Sequence, residues 1–314
     1  MKPKFFPLPQ GPWWHGWAPA AVLKVVGEDA LRFLQGQFSQ DLLVPAGPDR
    51  VAYGLWLNHK GRVLADSFAL VHGPTEVWLV SYFSVGAEIK DHLEKHVIAD
   101  DVTIEDLTAD WSGLTLGGPV RMSGMEPNGE ERLDAPVPPA QFGRRGPGWM
   151  FRGRRDAGEC WEWLAPRGTL PPIQDERVEL SSKTLESIRM EAGVPAVPVD
   201  LGPGDLPHEG GLDQVAVSYS KGCYLGQEVM ARLRTGKIRR RLFRVAGAGL
   251  PPEGRPTPLF QAGRRCGELR SAVPDATGGW LGLAMLTLLG LDGTAPLTAI
   301  PEPDAPAIRL LDVP

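Results

Sequence analysis

Glycine and proline punctuate this chain: 38 of one and 31 of the other are scattered through 314 residues. Proline cannot continue a ladder or a helix interior, and glycine weakens both, so the chain is confined to short elements joined by many turns. That pattern argues for a large β component. The two residue types follow no fixed period, which excludes a collagen-like rod. At this length a substantial core is buried, in two or three packing units.

The remaining composition narrows the function classes. Hydrophobic residues make up 42% and charged residues 23%, ordinary values for a soluble globular protein. The longest apolar run, 280–291, is too short to span a bilayer, so no membrane partner is expected. Lys2 and Lys4 precede no apolar run, because Pro3, Pro7, Pro9 and Pro12 interrupt it, and no signal peptide is read. The net charge, 33 − 38 = −5, gives no global attraction to nucleic acid. Cys160, Cys223 and Cys266 are few, odd in number and far apart, which fits a reducing compartment, and a cytoplasmic location is expected. No C-x-x-C pair marks a self-contained zinc or cluster site.

Along the chain, residues 1–17 are rich in Pro and Trp and read as an extended arm. A strand is predicted over 22–26, then a helix over 28–35 with acidic residues in its first turn and Gly36 after it. A hairpin is predicted from 51–57 and 62–71 around Asn58-His59-Lys60-Gly61. A strand over 76–80 leads to a helix capped by Ser84 with Ile89, Leu93 and Val97 on its apolar face, then a strand over 102–107. This order implies an α+β sheet with helices on one face. Residues 117–160 read as turns, short strands and a mobile loop joining two halves of the body. Ser181 caps a helix that Gly193 and Pro195 stop, and 196–215 is a long loop. After Arg241 short strands separated by Gly and Pro read as a small β-barrel. The expected division is a body over 1–240 and a barrel over 241–314.

The densest chemical signal is Lys221-Gly222-Cys223-Tyr224-Leu225-Gly226-Gln227-Glu228, followed by Val229-Met230-Ala231-Arg232. Lys221 and Arg232 place positive charge near a thiol, which favours the thiolate. Gly222 and Gly226 permit a tight turn or a close approach to a ligand. Alone, the block also reads as a strand-turn-helix junction around a buried cysteine. The block resembles the signature K-G-C-Y-x-G-Q-E-x-x-x-R of the YgfZ family. These are folate-binding proteins related to the glycine cleavage T-protein (an aminomethyltransferase) and to the mitochondrial Iba57 and Caf17 proteins. Phe33-Leu34-Gln35-Gly36-Gln37, Lys60-Gly61-Arg62-Val63-Leu64-Ala65-Asp66 and Arg189-Met190-Glu191-Ala192-Gly193 support the resemblance in the family's order. It covers roughly residues 20–290 and is poor near 117–160.

The resemblance implies a GcvT-like folate-binding body of mixed and antiparallel sheets with packed helices, followed by a C-terminal β-barrel. It implies a tetrahydrofolate or one-carbon-folate cofactor, and a role in assembling or repairing Fe–S clusters in client enzymes, including tRNA-modifying radical enzymes. Glu191 matches the glutamate that holds the pterin in T-proteins. Arg189, Asp66, Lys60, Arg62, Tyr224, Gln227 and Glu228 are further candidates around the folate. Cys223, with Lys221 and Arg232, is the candidate functional thiol. Redox exchange, transient Fe–S ligation and attack on an electrophile all fit it. T-proteins carry paired aspartates where this chain has Ala65 and Asp66, and the missing carboxylate argues against ordinary aminomethyl transfer. Any enzymatic activity is expected to be a folate-dependent one-carbon transfer. A basic run, Arg232, Arg234, Lys237, Arg239, Arg240, Arg241 and Arg244, forms a positive patch for RNA, a polyglutamate tail or an acidic protein. RNA contact is assigned to Arg239, Arg240 and Arg241.

Overall fold

The structure is a computed structural model that describes residues 11–118, 123–125, 131–133, 140–171, 173, 176–275, 278–302 and 304–312. In chain order, β1 (Trp13–Trp17) and β2 (Ala21–Val26) lead to α1 (Ala30–Gln37). The hairpin β3 (Arg50–Leu57) and β4 (Val63–Val71) follows, then β5 (Glu76–Ser81), α2 (Gly86–Glu94) and β6 (Thr103–Asp106). Strands β2 to β6 form an antiparallel sheet of order β3-β4-β5-β2-β6. The strand alternation gives this sheet two apolar faces. One carries Leu23, Val25 and Leu79 and is covered by Leu34 of α1 and by Ile89 and Leu93 of α2. The other carries Val22, Phe68, Leu70 and Val80 and packs on a second sheet through Phe142, Phe151 and Leu164.

That second sheet contains β7 (Trp111–Gly117), β10 (Phe142–Arg145), β11 (Gly148–Arg152), β12 (Cys160–Pro166) and β13 (Val178–Glu179), in the order β10-β11-β12-β7-β1-β13. A separate pair, β8 (Ser123–Met125) and β9 (Glu131–Leu133), lies between β7 and β10 in sequence. The helix α3 (Ser182–Glu191) and the short α4 (Gln227–Leu233) precede β14 (Arg240–Ala248), β15 (Thr257–Gln261), β16 (Arg264–Pro274), β17 (Gly279–Thr287) and β18 (Ile308–Leu310). These last five strands curl as β15-β16-β17-β14-β18 around Phe243, Leu259, Leu269, Trp280 and Leu286. The α+β class with a half-barrel C-terminal sheet follows the sequence expectation. No helix among the described residues is long and apolar enough to cross a membrane.

Three local readings differ from the structure. The expected arm over 1–17 supplies an interior strand from residue 13 on, because β1 pairs with both β7 and β13; residues 1–10 lie outside the described set. The first helix starts at Ala30 and includes Gly36, so Glu28 and Asp29 precede its first turn. Gly27 delays the start: at φ 136° its missing Cβ would lie 2.0 Å from the carbonyl oxygen of Asp101. Ser84 does not cap α2, whose N-cap is Val85. In the stretch 117–160 the expected short strands are present at 142–145 and 148–152 and lead to β12, all paired in the second sheet; the expected mobile loop falls largely on 119–122, 126–130 and 134–139, which lie outside the described residues.

Candidate functional site

The register of the β3–β4 hairpin sorts its side chains. Ala65, Ala69 and Val71 face the helices, and Phe68 and Leu70 face the second sheet. Asp66 falls on the second set by alternation. Ala65, aligned with the first of the paired aspartates, has its side chain in the helix-side core. The carboxylate this strand offers to the space between the sheets is Asp66, and it is present.

Asp66 is 5% exposed and held on both oxygens. Tyr53 donates its hydroxyl to Oδ2 at 2.7 Å, and Ser84 Oγ reaches Oδ1 at 2.7 Å. The same Ser84 oxygen accepts the Asp66 N–H at 3.0 Å and lies 3.1 Å from the Val197 carbonyl. Burial pushes the Asp66 carboxyl above its ordinary value, against the opposing pull of these hydrogen bonds and of Arg154. The Arg154 guanidinium lies 4.2 Å over the Tyr53 ring, and its Nε is buried with no partner among the described residues. Above this centre opens a cleft of about 440 Å³, lined by Val51, Tyr53, Phe68, Arg152, Arg154 and Val194 among others.

A polar cluster beneath the cleft fixes the turn that carries Arg154. Glu162 of β12 is fully buried and accepts from Trp17 Nε1 at 2.9 Å, Thr115 Oγ1 at 2.8 Å and Tyr82 OH at 2.7 Å. Burial raises its carboxyl to about 7, with the Arg155 charge opposing the rise. Arg155 is itself buried, stacked 3.9 Å over Tyr82 and 5.1 Å over Trp17. Gly153 gives the turn room, since a Cβ there would come within 2.4 Å of Glu162 Oε1. The Tyr82 oxygen also accepts the Arg154 N–H at 3.2 Å.

Of the α3 candidates, Arg189 is enclosed. It bonds Asp200 at 2.7 Å, the Val194 carbonyl at 2.6 Å and both oxygens of Glu186. Its guanidinium thus clamps the strap 194–200 that supplies Val194 to the cleft and the Val197 carbonyl to Ser84. Glu191 ends α3, its carbonyl accepting from Arg244 at 2.6 Å, and it is not among the residues lining the cleft. Lys60 is exposed at the hairpin tip, and Arg62 reaches the Gly204 carbonyl at 2.7 Å.

The cysteine block lies apart from the cleft lining. It is not strand-led: a bend enters α4 through Gly226 at φ 85°. Nor is the cysteine buried, because Cys223 is exposed. Lys221 turns away to close α1, donating to the carbonyls of Gln35, Phe38 and Gln40 at 2.7, 2.8 and 2.9 Å. A cation over orphan carbonyls at a helix C-terminus is favourable, although burial lowers its ammonium to about 8. Tyr224 is buried with its ring 5.2 Å from Lys221 Nζ, Gln227 Nε2 lies 3.5 Å from the Lys221 carbonyl, and Glu228 pairs with Arg232 on the surface of α4. Gly61 and Gly226, one from each motif, explain why the two motifs occur together, whereas Gly222 makes no close approach. A Cβ on Gly61 would meet Met230 Cε at 2.7 Å, and one on Gly226 would meet the Asn58 carbonyl at 2.9 Å, so α4 rests directly on the hairpin tip.

The basic run is divided. Arg240 pairs with Asp205 and Glu209, and Arg244 with Asp312. Arg239 and Arg241 are exposed. Sequence reasoning missed Tyr53, Ser84, Arg154 and the Glu162 cluster, which no local motif marks. The only signal was Arg144 to Arg155, a run of arginines and glycines read as connection. Among the described residues no group of three His, Cys, Asp or Glu side chains gathers to hold a metal.

Known proteins resemble this chain at three levels. The sequence pattern of the GCVT N-terminal domain matches residues 19–127. The iron-sulfur cluster assembly factor IBA57, mitochondrial, of Mus musculus is 31% identical over 294 residues, spanning 85% of this chain and 75% of that protein. The Homo sapiens counterpart is 32% identical over 293 residues, 84% of this chain and 74% of that protein. A Cryptococcus neoformans homologue is 28% identical, and the chain spans 64% of its length. The crystal structure of the glycine cleavage system aminomethyltransferase T from Bartonella henselae superposes with a TM-score of 0.76 over 97% of this chain and 86% of that one. At 16% identity that likeness establishes the fold alone. The expected cytoplasmic location is overturned by these relatives, which are mitochondrial by name. Sparse cysteines mark a reducing compartment without distinguishing one such compartment from another.

Proposed function

The chain belongs to the family of the mitochondrial Fe–S cluster assembly factor IBA57, and from that premise we propose that it assembles Fe–S clusters and binds a tetrahydrofolate in the Asp66 cleft. The observation that carries the folate reading is the lining of one cleft by Arg152, Arg154 and Tyr53, the last of which holds the buried Asp66 carboxylate directly behind it. The lining fits such a molecule. Tyr53, Phe68, Val51 and Val194 offer flat and apolar surface to a fused ring, Arg152 and Arg154 face the carboxylates of a glutamate tail, and Asp66, held behind Tyr53, would accept ring N–H donors once Tyr53 gives way. A bound tetrahydrofolate would supply a one-carbon carrier. The residues of this chain orient it: Ser84 and Tyr53 fix the carboxylate, and the Arg155–Glu162 cluster fixes Arg154.

Within this reading Cys223 is the exposed thiol that ligates or exchanges with a cluster in transit, and further ligands come from a second protein. The finer reading is a YgfZ-type factor whose clients include tRNA-modifying radical enzymes. The folate claim is tested by anaerobic calorimetric titration with tetrahydrofolate. Asp66→Asn and Arg154→Gln should each weaken binding about tenfold or more, since each removes a charge-assisted hydrogen bond. Glu191→Ala tests whether the end of α3 also reaches the pterin. Parent-like affinity in both cleft variants places the folate elsewhere. The Fe–S claim is tested separately: Cys223→Ala should fold normally but fail to restore Fe–S enzyme activity in cells lacking the protein, and full rescue would count against it.

One observation favours a second reading, folate-dependent aminomethyl transfer: the carboxylate that remains of the pair, Asp66, is held by Tyr53, a residue of the cleft lining. Turnover of an aminomethyl-carrier substrate that Asp66→Asn abolishes would establish it.

A further inference from the structure

The run from Arg232 to Arg244 contains two kinds of cation. Arg240 and Arg244 turn inward to buried or half-buried acids. Lys237, Arg239 and Arg241 are exposed, and no acid is paired with them among the described residues. Arg239 immediately precedes β14 and Arg241 is its second residue, so the two exposed cations lie together at the entry to that strand. Arg232 adds a partly neutralised charge through its pair with Glu228, and Arg234 lies 5.3 Å over the Tyr219 ring. Beside them runs the end of β17: Arg240 is the register partner of Thr287, and the Leu288 N–H donates to the Arg239 carbonyl at 2.9 Å. The next residue, Leu289, is 92% exposed. A chain of net charge −5 thus carries one strongly basic edge with a bare aliphatic side chain next to it.

We propose that this edge, Lys237, Arg239 and Arg241 with Leu289, docks a partner protein through an acidic face bearing a small apolar pocket. Complementary charge gives register and a fast encounter, and a desolvated aliphatic anchor supplies the contact that outlasts screening. RNA would use the same cations, but proteins that hold unpaired RNA present aromatic platforms for the bases. The large exposed hydrophobic side chains here are Leu, Val and Ile, with no aromatic among them in the described residues. A double helix read by phosphates alone would need a longer row of free cations than this edge offers. The site is separate from the cleft at Asp66 and does not depend on folate binding.

The test uses the full chain and two probes of equal charge: a peptide of repeated Glu-Glu-Leu-Glu units and a poly(U) RNA. The peptide should bind at physiological salt and weaken as salt rises. Lys237→Glu, Arg239→Glu and Arg241→Glu together should weaken it about tenfold or more, and the milder set Lys237→Gln, Arg239→Gln and Arg241→Gln should weaken it in the same direction. Leu289→Ser should lower affinity for this peptide several-fold while leaving affinity for plain polyglutamate unchanged. The proposal is overturned if RNA binds as tightly as the peptide, if the peptide does not bind at physiological salt, or if the charge variants bind it like the parent. Tetrahydrofolate affinity should be unchanged in every variant of this edge, so failure here leaves the cleft reading standing and failure of the cleft leaves this one.

Discussion

At the cleft, Tyr53, Asp66, Ser84 and Arg154 come from four separate stretches of chain and converge on one space. At the hairpin tip, Lys221, Cys223, Tyr224 and Arg232 are near neighbours in sequence, and their side chains diverge: Lys221 to the end of α1, Tyr224 into the core, Cys223 and Arg232 to solvent. The region with the stronger motif is a junction where three segments lock together, and the region with almost no motif holds the enclosed polar centre. A dense sequence signature therefore reports backbone constraint as readily as chemistry. Glycines that allow close approach and a lysine that closes a helix are as invariant in their demands as a catalytic group.

The largest effect should come from the clamp that shapes the cleft. Arg189→Met leaves Asp200, which is fully buried, without its charge partner. The expected loss is about 3–5 kcal/mol of unfolding free energy, measured by urea titration. Adding Asp200→Asn should recover much of that loss, because the stranded charge is then gone. Should Arg189→Met unfold like the parent yet lose folate affinity, Arg189 would be a ligand-binding residue after all, and the cleft would be less preorganised than described.

The Glu162 cluster gives the next effect and carries a sign. Its carboxyl sits at about 7 in the folded chain against an ordinary value of 4.5. The folded state therefore binds more protons between those values, so stability falls as pH rises from about 4.5 to about 7 and levels off above. Glu162→Gln removes the titrating group. Relative to that variant the parent should lose stability across this window, by up to about 3 kcal/mol. Trp17, Thr115 and Tyr82 donate to the carboxylate, and the Arg155 charge supports its ionised form against burial. Parallel curves for parent and variant would mean that these donors and Arg155 keep Glu162 ionised throughout.

The sequence shows the hairpin at 51–71, the Ser181 cap and the C-terminal strands because each is set by local rules: alternation, a capping oxygen, turn glycines. It misplaces Ser84 because a serine before a helix looks like a cap whichever partner it finds, and here Asp66 is the partner. Arg155 and Glu162 look like surface charge in sequence. Their burial depends on aromatic rings from β1 and from the chain around Tyr82, which only the packing of two sheets brings near. Asp66 was named from its motif, but its face of the strand follows from register, and register is a tertiary property.

The smallest effects make the sharpest contrast, because they lie two residues apart. Lys221→Met keeps the length of the stem but strands three carbonyls, at Gln35, Phe38 and Gln40, that Lys221 now satisfies. Relief of the buried ammonium, already lowered to about 8, offsets part of that loss. The net cost should be about 2 kcal/mol. Cys223→Ser replaces an exposed thiol by a hydroxyl of similar size, and its unfolding free energy should stay within about 0.5 kcal/mol of the parent. Urea midpoints measured side by side decide the matter. If the two variants are destabilised equally, the thiol has a structural partner, and the signature is a packing motif from end to end. If only Lys221→Met is destabilised, Cys223 is free of any duty to the fold, and whatever maintains it at the surface must be the chemistry of its sulfur.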